Sequence, residues 1–160
     1  MHILVLVHPG SLCGSAHMNL GRADARIARD AVAQDLSAWT GGIVVIDGDA
    51  SDELPDYPIF EAAIRNALDR AQAGGLLSVR LPGEDPEQIA AVRSFVTERS
   101  LNPETDRFMV TGAWYDPSNR SGCVNSVITE LTSMGFAATV SDSAVELDFY
   151  AEQDDGHAEG

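Results

Sequence analysis

Cys123 and His8 have side chains suited to nucleophilic or proton-transfer chemistry, and both sit beside glycine-bearing loops. Cys123 follows Ser121-Gly122 and precedes the helix-like run from Val124 to Met134. A cysteine at a helix start lies beside unpaired backbone N–H groups and the positive end of the helix dipole, and both favour thiolate. A cysteine hydrolase or transferase also needs a base. His8 is the candidate, because it follows the first apolar run and would project from the same sheet edge, with Asp47 or Asp49 orienting its imidazole. Strand, Gly-Cys, helix echoes a nucleophile elbow, although the full G-x-S-x-G pattern is absent. The other reading of Cys123 is a small buried apolar residue. A Cys-x₅-Arg phosphatase loop fails on spacing: the arginine position is Asn19 counted from Cys13, and Thr129 counted from Cys123.

Three loops carry binding chemistry. In the first, His8-Pro9-Gly10-Ser11-Leu12-Cys13-Gly14-Ser15, glycines allow close backbone approach and hydroxyls add donors. With a helix start behind it, this loop would accept an anion such as phosphate on Ser11, Cys13, Gly14 and Ser15. The same residues also suit a tight turn capped by Ser15. Gly10 and Gly14 lack the G-x-G-x-x-G spacing of dinucleotide sites. The second loop, Asp47-Gly48-Asp49, offers an acid for a ribose hydroxyl, or is a solvated acidic turn. Arg80, near the end of a later strand, joins the binding candidates. The third loop runs from Gly112 to Cys123 and holds Trp114 and Tyr115 side by side with no core-facing period. Such aromatics stack on planar ligands or fold back into their own loop.

Two families share pieces of this pattern. An apolar strand followed by Asp47-Gly48-Asp49, with Thr111 after a later strand, resembles the motifs of haloacid-dehalogenase-like phosphatases. That resemblance implies an aspartate nucleophile, an aspartate acid/base and magnesium, but the family's lysine is missing and its first motif normally follows the first strand. Ser11 to Ser15, together with Gly112, Tyr115 and Cys123 and the acidic composition, resembles the flavodoxins. This second resemblance implies a flavodoxin-like fold and an FMN site. The chain departs from it in lacking threonines in the phosphate loop and an aromatic in Pro82-Gly83-Glu84-Asp85.

Composition narrows the field further. The formal net charge of −15 repels phosphate backbones and anionic lipid, so neither nucleic acid nor a membrane surface is an expected partner. All ten basic side chains are arginine, which removes P-loop, Schiff-base and pyridoxal chemistry. Two cysteines are too few for a disulfide framework or a cysteine zinc site, and the histidines have no metal-ligand spacing. The apolar start is short and lacks a basic leader, which favours a strand and a cytoplasmic protein.

The elements that must position these residues alternate buried strand and amphipathic helix. Apolar runs predict strands at Ile3–Val7, Ile43–Ile46, Leu76–Leu81, Phe108–Thr111 and Ala137–Val140, and alternation at Val145, Leu147 and Phe149 predicts an edge strand. Between them lie helices with inward faces at Ile27, Ala28, Ala31, Val32, Leu36 and Trp39; at Phe60, Ala63, Ile64, Ala67, Leu68 and Ala71; at Ile89, Val92 and Val96; and at Val124, Val127, Ile128, Leu131 and Met134. Asp85, Pro86 and Gln88 read as a capped start of the third helix, with Gln88 completing a capping box. The pattern implies one α/β domain over residues 1–150, with an acidic disordered tail over 151–160. It is a three-layer sandwich around a mostly parallel five-stranded sheet, flavodoxin-like or Rossmann-like, and the flavodoxin order 2-1-3-4-5 suits the length. The expected function is binding of an anionic nucleotide- or flavin-like small molecule at the carboxyl edge of the sheet. The alternatives are the Cys123–His8 enzyme and a noncatalytic domain whose acidic face meets a basic partner.

Overall fold

A computed structural model describes residues 1–13, 22–48, 57–83 and 87–145. The strands are β1 (His2–Val7), β2 (Gly42–Asp47), β3 (Ser78–Pro82), β4 (Arg107–Gly112) and β5 (Ala137–Val140). The helices are α1 (Arg22–Ala38), α2 (Tyr57–Ala73), α3 (Glu87–Glu98) and α4 (Cys123–Ser133). A short 3-10 turn, Pro9–Leu12, follows β1. Every ladder is parallel, and the strand order is β3-β2-β1-β4-β5. The α/β sandwich is as expected, but the order is the Rossmann-like one rather than the 2-1-3-4-5 order. The physical reason lies in β3. Ser78 and Arg80 occupy one face of it, and Pro82 lacks an N–H, so the strand is tolerated at an edge and poorly at the centre.

Alternating side chains of the central strands feed two cores. Leu4, Leu6, Ile43 and Val45 pack with Val32 and Leu36 of α1 and with Phe60, Ile64 and Ala67 of α2. Ile3, Val5, Val44 and Ile46 face the other way, onto Val92, Phe95 and Val96 of α3 and Val124, Val127 and Leu131 of α4. Burial on both faces explains why these strands read as unbroken apolar runs. The face of α1 differs from the expected one. Ala25, Arg29, Val32 and Leu36 point inward, whereas Ile27 is 66% exposed and Trp39 lies beyond the helix. Buried Arg29 donates from Nη1 to the Leu12 carbonyl at 2.8 Å, so a polar tether stands where an apolar residue was expected. Of the expected edge strand only Val145 lies within the described residues. It is buried in a loop, donating to the Gly112 carbonyl and accepting from the Tyr115 N–H. The Asp85–Pro86 cap lies outside the described residues. Among the described residues no helix is long and apolar enough to cross a membrane.

The carboxyl end of the sheet is drawn together by register. Val7 is level with Ile46 on one side and with Gly112 on the other. Gly112 has φ +124, and a Cβ there would stand 2.1 Å from the Val7 carbonyl oxygen. No L side chain fits that approach. Gly112→Ala is therefore expected to cost at least about 2 kcal/mol of stability in urea unfolding, from backbone strain and overpacking together.

Candidate functional site

In the order 3-2-1-4-5 the chain runs outward from β1 through β2 to β3, then returns to place β4 on the other side of β1. The strand order therefore reverses at β1, and the carboxyl edge at such a reversal is where open α/β sheets take ligands. The candidate residues fall around it.

His8 is the first residue past β1. It is buried, in the left-handed region with φ 49 and ψ 60, and its N–H donates to the Ile46 carbonyl at 2.9 Å. Its Nε2 lies 2.7 Å from the Gly83 carbonyl. A carbonyl only accepts, so Nε2 carries the hydrogen and Nδ1 is the acceptor in the neutral ring. The ring also fills the space over Gly48, where a Cβ would lie 2.6 Å from Cδ2. His8 thus faces the loops after β2 and β3, whereas Cys123 opens α4, beyond β4. Asp47 does not orient the imidazole, because its oxygens take bonds of 2.6 and 3.0 Å from Arg80 Nε and Nη2. Gly83 holds the ring instead. Cys123 is half-buried and packs against the β–α3–α4 core, while Cys13 is buried in the β–α1–α2 core. The two thiols therefore belong to opposite faces of the sheet and form no disulfide.

The segment Pro9–Leu12 is a 3-10 turn rather than an open anion loop. Ser11 N–H donates to the His8 carbonyl and Cys13 N–H to the Gly10 carbonyl, so both amides are engaged within the turn. Gly14, Ser15 and Asp49 lie outside the described residues. Arg80 is also engaged: besides Asp47 it donates to Glu61 at 2.5 and 2.7 Å. Its guanidinium fork matches two carboxylates at once, which raises its pKa and locks edge strand β3 to β2 and α2. Burial pushes the Glu61 carboxyl up, but bonds from Arg80, Tyr57 and Arg65 outweigh it and leave the group below its ordinary value. Burial, then the bond to Glu61, pushes the Tyr57 phenol up to about 12.

Trp114 and Tyr115 divide between the two cores. Trp114, at φ 71, packs against the α1–α2 side and Tyr115 against the α3–α4 side, each half-buried. Adjacent residues past a strand end point to opposite faces, which is why no period was visible. Buried Asp116 organises the rest of the loop. Its carboxylate accepts from Ser118 N–H, Asn119 N–H and Asn119 Nδ2, and its backbone pairs with Ser121 in both directions. The Asn119 side-chain bond is the main cause of its lowered pKa. Thr111 is fully buried and shares a hydrogen bond with Ser143, so its hydroxyl serves the loop after β5.

Three site residues escaped sequence reasoning. Glu61 had a signal, since Tyr57, Glu61 and Arg65 fall at i, i+4 and i+8 of one helix. Asp116-Pro117-Ser118-Asn119 is an Asx-turn sequence. Gln88 had none. It is fully buried, and neither amide atom has a hydrogen-bond partner among the described residues; the Asp85 end of the expected capping box lies outside them. Comparison of the chain with protein-family models, with curated proteins and with solved structures found no match.

Because Glu61 is held below its ordinary value, its contribution to stability is present above about pH 4.5 and is lost as pH falls through its folded-state pKa. Glu61→Gln should therefore flatten the acid limb of a stability-versus-pH curve measured by urea unfolding. A limb of unchanged slope would show that Arg80 does not hold Glu61 ionised.

Proposed function

We propose that this chain is a small-molecule binding domain for an anionic, nucleotide- or flavin-like ligand at the carboxyl edge of the sheet. The observation that carries the reading is the reversal of strand order between β1 and β4, the place in an open α/β sheet where ligands bind. The ligand would lie beside the turn after β1, along the same edge. The turn is anchored by Arg29 through the Leu12 carbonyl, so the backbone there is set before a ligand arrives. Glycines at 48, 83 and 112 leave no room for side chains between the loops and β-strand ends, which keeps the edge low.

A panel of nucleotides, flavins and sugar phosphates tests the reading by thermal shift. A ligand held at one hundred times its Kd should raise the melting temperature by about 5 to 10 °C for a domain of this size. No shift across the panel would contradict the reading, and a yellow purified protein would identify the ligand as a flavin.

A further inference from the structure

A cavity of about 300 Å³ opens to solvent between α1 and α2, and the described residues that line it all belong to those two helices. Its size stands at the lower end of the roughly 300–1,000 Å³ range of small-molecule sites. Buried Phe60 and Arg29 form the floor, and half-buried Ala33 and Ala63 form the walls. Alanine at both wall positions leaves room that a larger apolar side chain would fill. Ile59, 79% exposed, carries the apolar lining out to the mouth.

Two groups at the mouth set the charge of an occupant. Arg26 is exposed and makes no ion pair among the described residues, Asp30 one turn on included. Arg29 beneath it is fixed by the bond from Nη1 to the Leu12 carbonyl at 2.8 Å. Among the described lining residues two arginines stand against one aspartate, whereas the chain as a whole has a net charge of −15. Charge complementarity therefore calls for an anion, and Asp30 limits it to one negative charge by repelling a second. The floor and walls call for hydrocarbon. A protein partner fits less well. A stable interface takes about 800 Å² from each side, and Ile27 and Ile59 are the only large apolar side chains exposed on α1 and α2 among the described residues.

We propose that the α1–α2 cavity binds a small amphipathic monocarboxylate, of the fatty-acid or arylcarboxylate class. Its hydrocarbon lies over Phe60 between Ala33 and Ala63, and its carboxylate meets the Arg26 guanidinium at the mouth. The site is separate from the one proposed at the carboxyl edge of the sheet and is tested independently of it.

Fluorescence of anilinonaphthalene sulfonate, an anion on an apolar ring system, reports occupancy. Its binding to the wild-type chain should saturate, and octanoate or naphthoate should displace it, the stronger of the two identifying a straight-chain or an aromatic occupant. The uncharged counterpart of that acid, octanol or naphthalenemethanol, should need a concentration about fivefold higher, the scale of an exposed ion pair. Arg26→Gln should remove that difference and leave the alcohol unchanged. Ala63→Phe should fill the cavity and weaken acid and alcohol alike at least about tenfold. Backbone amide shifts of the wild-type chain under the acid should centre on Arg26, Asp30, Ala33, Ile59 and Ala63, a readout that holds even where Ala63→Phe fails to fold. Equal affinity for acid and alcohol, or a preference for the acid that survives Arg26→Gln, overturns the proposal. Shifts centred elsewhere, or displacement that survives Ala63→Phe, overturn it by placing the ligand outside the cavity. Displacement by neither acid overturns it outright and leaves the carboxyl-edge reading untouched.

Discussion

The constraint on which the structure depends is the reversal of strand order between β1 and β4. Parallel strands joined by right-handed crossovers must place successive helices on one face while the chain steps in one direction, and on the other face once it turns back. Stepping from β1 to β3 places α1 and α2 on one side, and returning to β4 and β5 places α3 and α4 on the other. The central strands are then covered on both faces, which Ile3–Val7 and Ile43–Ile46 require because none of their side chains can face water. The same constraint that buries the core also puts the reversal of strand order at β1, where open α/β sheets take ligands.

Polar contacts fasten the edge alongside its apolar packing. His8 fastens the loop after β1 to Gly83, and Arg80 fastens β3 to Asp47 and Glu61. Arg29 holds the turn at Leu12, and Asp116 closes the loop after β4 upon itself. His8 and Arg80 read at first as chemistry, and both are engaged in positioning the chain.

Much of the fold was legible because periodicity reports burial. The five strands fell at the expected positions, β3 as Ser78–Pro82 within a residue or two of Leu76–Leu81, and α2 and α4 presented the expected faces, since Phe60, Ile64 and Ala67 or Val124, Val127 and Leu131 recur at helical spacing. The strand order was only partly legible. Ser78, Arg80 and Pro82 mark β3 as an edge strand, and an edge place for β3 excludes the flavodoxin order, in which that strand is central. The face of α1 was misjudged because Arg29 takes an inward position that hydrophobicity assigns to its neighbours. The site was the least legible part. Asp47 and Arg80 looked like separate ligand groups until the parallel register of β2 and β3 set them side by side, and no local pattern announces a glutamine buried without a partner.

The central claim is that ligand binding occurs at the β1–β4 reversal, along the carboxyl edge. Backbone amide shifts in ¹⁵N-labelled protein titrated with FMN and with AMP test it most directly. The account predicts that the largest saturable changes occur at His8, Ser11, Cys13, Gly48, Gly83, Gln88 and Gly112, with α1 and α2 beyond their first turns unchanged. Changes centred on the exposed helix surface around Ile27 and Ile59, or no saturable change with either compound, would contradict it.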